Sequence, residues 1–165
     1  MLTSIYLFAL LELLVVSYLD YKTKKIANWW SIINVLLFIV TIILFPQNYK
    51  FSMNLLTMPA LFLGLGFILF YIRIAGAGDV KFLSTFFLLI PLHLHLEMTE
   101  LILISTIVVA LLLILKNTIK NSTLIVTIIK ERQWLLLQGI YGTKFSYSPV
   151  ILLAWVWLWI KTQLL

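Results

Sequence analysis

The chain contains no cysteine. Disulfides, thiol nucleophiles and cysteine-liganded zinc are therefore excluded. Charge is scarce: 11% of the 165 residues are Asp, Glu, Lys or Arg, and only 6 are acidic. A soluble domain carries roughly a quarter charged residues. Histidine occurs twice, as His93 and His95. Two residues apart, they point away from each other on a helix, so no metal site is expected there. No cofactor is called for.

What the chain has instead is apolar sequence, 63% of it. That composition predicts an all-α integral membrane protein. The length is too short for two ordinary domains. Residues 1–165 read as a single polytopic membrane domain, a bundle of about six transmembrane helices, with the lipid bilayer as its surroundings. No separate extramembrane domain is expected. Met1-Leu2-Thr3-Ser4 has no basic region, and no small-x-small cleavage site precedes Tyr18-Leu19-Asp20. The first apolar run is expected to be a retained span, not a signal peptide.

The expected spans can be followed along the chain. The first runs from Leu2 to Leu19 and contains Glu12. A basic loop follows, Asp20-Tyr21-Lys22-Thr23-Lys24-Lys25-Ile26-Ala27-Asn28. The second span runs from Trp29 to Phe45 and ends at the turn Pro46-Gln47-Asn48. The third runs from Leu55 to Ile72, with Gly64 and Gly66 placed to permit close helix contact and Arg73 closing it. The fourth runs from about Val80 to Ile90, with Leu96 as an alternative end, and frays through Pro91-Leu92-His93-Leu94-His95. The fifth runs from Thr99 to Leu115.

A connection from Lys116 to Ser148 holds two apolar stretches, 124–129 and 134–137, that are too short to cross. They read as amphipathic segments lying in the cytoplasmic interface, about 116–148. The last span starts near Pro149 and runs to Ile160, with Trp155, Trp157 and Trp159 as an aromatic belt.

The net charge of +6 is better explained by orientation than by nucleic acid, and no nucleic-acid partner is expected. The loops after the odd-numbered spans hold Lys22, Lys24, Lys25, Arg73, Lys81, Lys116, Lys120, Lys130, Arg132 and Lys144. The other side holds only Lys50 and Lys161. The bias puts those three loops in the cytoplasm and both termini outside.

The chemistry centres on Ile74-Ala75-Gly76-Ala77-Gly78-Asp79-Val80-Lys81. A carboxylate at the edge of a bilayer is costly, so Asp79 reads as functional. Glycines let the backbone leave helical geometry and let another group approach. Asp20 ends the first span and Asp79 opens the fourth, so two intervening spans return both to one face. Two neighbouring carboxyls at low dielectric do not readily both ionise, so one serves as acid and the other as base. The pair can activate water and protonate a leaving amine. His93 and His95 fall on the opposite face, which leaves no histidine base for a serine near the aspartates.

Plainer roles stand beside these. Asp20 can terminate a helix, and Asp79 can cap the fourth span. Gly76 and Gly78 can form an ordinary turn. Lys81 reads as an interface anchor or an electrostatic neighbour of Asp79. Glu12 reads first as a hydrogen-bonded structural group between helices and second as a residue facing a cavity.

Gly76-Ala77-Gly78-Asp79-Val80-Lys81 resembles the GxGDxK motif of the type IV prepilin peptidases, intramembrane-type aspartic proteases. Asp20 through Asn28 resembles their first-aspartate segment, in which an aspartate is followed by basic residues and then Ile-Pro-Asn. Lys24, Lys25, Ile26 and Asn28 match, while Ala27 replaces the proline. Tyr147-Ser148-Pro149 resembles a third feature before the last span.

The resemblance implies an endopeptidase, a hydrolase, at the cytoplasmic face of the cell membrane. It would remove a short basic leader from prepilin-like substrates of type IV pilus or secretion systems. Asp20 and Asp79 would be catalytic, with Gly76, Gly78, Lys81 and Asn28 in support. With no cysteine-containing loop, the chain resembles the short peptidase-only members of Tad-type or archaellum-like systems, and N-methyl transfer is not implied. Presenilin-like proteases carry Pro-Ala-Leu after the second aspartate, whereas Pro59-Ala60-Leu61 precedes Asp79 here. Two other classes fit the composition: a small proton-coupled transporter using Glu12, Asp20 and Asp79, and a non-catalytic membrane assembly factor.

Overall fold

A computed structural model describes residues 3–46, 49, 51–72, 75–131 and 147–164. Among the described residues the protein is all-helical, with no strand. The α-helices are α1 (Thr3–Thr23), α2 (Asn28–Leu44), α3 (Met53–Tyr71), α4 (Ala77–Phe86), α5 (His95–Lys120), α6 (Ser122–Lys130) and α7 (Ser148–Leu164). Two 3-10 turns, Phe87–Leu89 and Leu92–Leu94, join α4 to α5.

Among the described residues, three stretches are long and apolar enough to cross a membrane: Thr3–Thr23, Met53–Tyr71 and Leu92–Lys120. They make the chain a membrane-associated one. α2 and α7 are shorter, at 17 residues each. In hydrocarbon a helix satisfies its own backbone polar groups, which is why apolar runs of this length fold as helices. α3 shows the consequence. It buries only Leu55, Pro59 and Gly66, while Leu61, Leu63, Leu65, Phe67 and Ile68 point outward. A helix apolar on all sides suits lipid.

α4 packs between α2 and α3, and α7 packs between α1 and α5. The two groups meet in one core. There Phe86 of α4 sits edge-on to Trp155 of α7, with ring centroids 5.1 Å apart. Gly66 lets α3 approach α4, because a Cβ there would run into the Val80 side chain. Ser84 donates to the Pro59 carbonyl at 2.7 Å and fastens the same pair. Gly64 does not share this role, since a Cβ there would meet nothing within 4 Å.

Three expectations need correction. The fourth apolar segment is not an unbroken helix from Val80 to Ile90. α4 starts at Ala77 and stops at Phe86. Pro91 pushes the preceding residue out of helical geometry, and Ile90 is extended at φ −90 and ψ 129. α5 then begins at His95, earlier than Thr99, and runs to Lys120. Trp155 is not a belt residue: it is fully buried, stacked on Tyr6, and its indole N–H points at the Tyr6 carbonyl at 3.4 Å. Trp157 and Trp159 remain partly exposed.

The stretch 124–129 lies within α6, as its amphipathic pattern predicts. Residues 134–137, Arg132, Lys144, Lys50, Arg73, Ile74, Gln47 and Asn48 lie outside the described residues.

α1 and α7 run antiparallel. Asp20 meets Ser148 at one end, and Tyr6 stacks on Trp159 at the other, with centroids 5.4 Å apart. A salt bridge of 2.7 Å between Glu97 and Lys161 ties α5 to α7 at that second end.

Candidate active site

Asp20 sits in the last turn of α1 and is 2% exposed. The helix ends just beyond it, where the Lys24 N–H donates to the Asp20 carbonyl at 2.8 Å. Lys24 takes φ 55, a left-handed conformation that costs a non-glycine residue about 1–2 kcal/mol. The Lys24 ammonium lies 5.3 Å from the centre of the Tyr21 ring, a cation–π contact that offsets part of this. The chain then passes through Ile26, which is buried, to Ala27 at φ −71 and ψ 141, from which α2 starts.

Asp79 enters from the other side. Gly76 is the N-cap of α4, and its N–H donates to Asp79 Oδ2 at 3.1 Å. Asp79 is therefore the third helical residue reaching back, not the cap itself. Its acidic side chain in the first turn also suits the positive end of the helix dipole. A Cβ on Gly76 would lie 2.7 Å from that carboxylate oxygen. Asp79 is half-buried.

Gly78 joins the two segments. A Cβ on Gly78 would collide with the backbone carbonyl oxygen of Ile26 and stand 3.2 Å from its carbonyl carbon. The start of α4 therefore rests directly on the loop that follows Asp20. Gly76 and Gly78 are thus not interchangeable turn residues: one leaves room for the Asp79 carboxylate, the other for a neighbouring backbone.

The remaining expected residues are more peripheral. Asn28 opens α2 and is exposed, and Lys81 is exposed on α4. His95 belongs to the opposite end, near Glu97, where its Nε2 lies 2.9 Å from the Ile90 carbonyl; His93 is exposed. Among the described residues no cluster of His, Cys, Asp and Glu is suited to hold a metal ion. A cavity of about 90 Å³ lies between Thr3, Tyr6, Leu94, Trp159 and Gln163, at the end away from the aspartates.

Two polar partners were not named by the sequence, although Glu12 is hydrogen-bonded between helices as expected. Glu12 is 3% exposed and faces Asn34 of α2, which is fully buried. With the amide nitrogen turned toward the carboxylate, Asn34 donates to its two oxygens at 3.0 and 2.8 Å. This pair lies roughly 12 Å along α1 from Asp20 by the helical rise, so it is separate from the aspartate site. An amide inside the apolar second span was the available signal. The second contact is Ser148, whose hydroxyl donates to Asp20 Oδ2 at 2.6 Å. Its neighbour Tyr147 is held 3.4 Å from the Thr106 hydroxyl, and burial pushes its phenol up against the pull of that contact.

The arrangement offers a buried carboxyl held by a hydroxyl and a half-buried carboxyl at a helix start, on segments in backbone contact. No protein-family model, no curated protein and no solved structure matches the chain.

Proposed function

We propose that the chain is a membrane-embedded aspartic endopeptidase of the prepilin-peptidase kind. It cleaves a short basic leader from a prepilin-like protein, just ahead of the substrate's hydrophobic helix. The observation that carries this reading is the seating of Gly78 on the Ile26 carbonyl, which brings the Asp20 and Asp79 segments to one end of the bundle. A two-carboxyl mechanism needs such a meeting, and a pair of unrelated helix caps does not.

In the cycle, the ionised carboxyl takes a proton from water as its oxygen attacks the scissile carbonyl carbon. The protonated carboxyl gives its proton to the amide nitrogen as the C–N bond breaks. One carboxyl ends protonated and the other ionised, their roles exchanged.

The same proposal takes α1, α2, α3, α4 with its 3-10 continuation, α5 and α7 as six crossings of the cell membrane. The lysine-rich loops then face the cytoplasm with the active site, and both termini face outside. The antiparallel setting of α1 against α7 supports that alternation.

A second reading has an observation of its own. The Glu12–Asn34 pair is a buried carboxyl within a membrane-length helix, and such groups also serve proton-coupled transport. Coexpression with a pilin-like substrate bearing a basic leader separates the two. The peptidase reading expects a mobility shift of the substrate. An intact substrate beside correctly inserted protein would sink it, and Glu12-dependent proton flux in vesicles would then favour transport.

A further inference from the structure

Ser148 opens α7 and is fully buried. Its hydroxyl donates to Asp20 Oδ2 at 2.6 Å, and its backbone N–H lies 3.4 Å from the same oxygen. The two residues are 128 positions apart, so the contact exists only when α1 and α7 pack. The segment around Ser148 is pinned independently. The Tyr147 carbonyl accepts from the N–H groups of Val150 and Ile151 at 3.0 and 3.3 Å. The Tyr147 hydroxyl lies against Thr106 of α5. Pro149 locks its own φ and restricts the backbone of Ser148 just before it. Ser148 therefore presents its hydroxyl to one carboxyl oxygen from a rigid support.

We propose that Ser148 is the positioning residue for Asp20, an inference that rests on the peptidase reading above. In a hydrolytic cycle Asp20 passes between carboxylate and carboxylic acid. A hydroxyl is both donor and acceptor. It donates to Oδ2 when Asp20 is charged and accepts the acid proton when Asp20 is neutral, so the carboxyl keeps one orientation through both states. A backbone N–H can do only the first. An ordinary helix cap needs no such versatility, since it only satisfies the first N–H groups of α7.

The test is a set of variants in purified protein with a pilin-like substrate. Ser148→Thr keeps the hydroxyl, and Ser148→Val has nearly the same shape without it. The valine variant is expected to lose about 10²-fold in kcat with KM little changed, as for a misplaced catalytic group, and the threonine variant to recover most of the loss. Valine and threonine variants of equal kcat would overturn the positioning role, while an inactive Asp20→Asn would keep the peptidase reading standing. Wild-type protein that leaves the substrate intact would overturn the peptidase reading and the positioning role together.

Discussion

The carbonyl oxygen of Ile26 occupies the space in which a side chain on Gly78 would begin. A backbone obstacle cannot rotate aside as a side chain can. Gly78→Ala must therefore push the start of α4 off the loop after Asp20, and Asp79 moves with it. Processing is expected to fall by about 10²-fold, since catalysis tolerates little misplacement. Gly64→Ala supplies the contrast, because nothing lies within 4 Å of its Cβ position. It should process at the wild-type rate and gain up to about 1 kcal/mol of helix propensity. Substrate mobility shifts report both. Equal rates would mean that the two aspartate segments need not touch.

Ala27 sits where the prepilin peptidase pattern has proline, and its backbone is already suited to one. Its φ of −71 is close to the value of about −65 that proline enforces. None of the described hydrogen bonds uses its N–H as donor. Ala27→Pro should therefore stabilise the protein by about 0.4–1 kcal/mol, by restricting the unfolded chain, and leave processing unchanged. A raised melting midpoint in detergent is the expected result. A lowered midpoint would mean that the loop needs a freedom this backbone does not display.

The aspartates and their glycines were legible in the sequence because polar groups among apolar runs are costly and stand out. The membrane-length helices were legible for the same reason of composition. What escaped depends on partners far along the chain. Trp155 near the end of an apolar run reads as a belt residue until Tyr6 and Phe86 are known to enclose it. Glu12 reads as a hydrogen-bonded group between helices, but its partner has no name until Asn34 of another helix faces it. Ser148 was visible only as part of a Tyr-Ser-Pro motif, and its bond to Asp20 spans nearly the whole chain. The end of α4 at Phe86 was locally encoded in Pro91, but hydrophobicity alone does not register a missing N–H.

Tyr49 gives the fold an alkaline limit. It lies between α2 and α3, is 3% exposed, and donates its phenol proton to the Leu89 carbonyl at 3.0 Å. Burial pushes the phenol up to about 12 from its usual 10.0. The folded state thus holds this proton more tightly than the unfolded chain does. The stability so gained is fully present below pH 10 and is lost as pH rises toward 12, on the order of 2–3 kcal/mol. Melting of the wild type should therefore fall more steeply between pH 10 and about 12 than that of Tyr49→Phe, which has nothing to ionise there. The variant should also start lower, because the Leu89 carbonyl loses its donor. Parallel falls in both proteins would assign the alkaline loss to other groups.

Asp20 and Asp79 each have a structural task as well as the proposed chemical one, and asparagine separates the two. In Asp79→Asn the amide oxygen still accepts from the Gly76 N–H, so the start of α4 keeps its bond. In Asp20→Asn the amide oxygen still accepts from the Ser148 hydroxyl. Shape, burial and both hydrogen bonds survive, but neither amide can take a proton from water or give one to a leaving amine. Aspartates that were only helix caps would tolerate the change. As an acid/base pair they act as a unit, so each single variant should be about as inactive as the double. Both should still insert and melt near the wild-type midpoint. Asp→Glu at either site keeps the acid but moves it by a methylene, beyond the roughly 0.5 Å that such a constellation tolerates, and should fail too. Lys81→Ala should be far milder, since that side chain is exposed and can only tune the field. Processing of a coexpressed pilin-like substrate decides the matter. A wild-type rate in Asp20→Asn would leave Asp20 as the partner of Ser148 in a helix junction and nothing more.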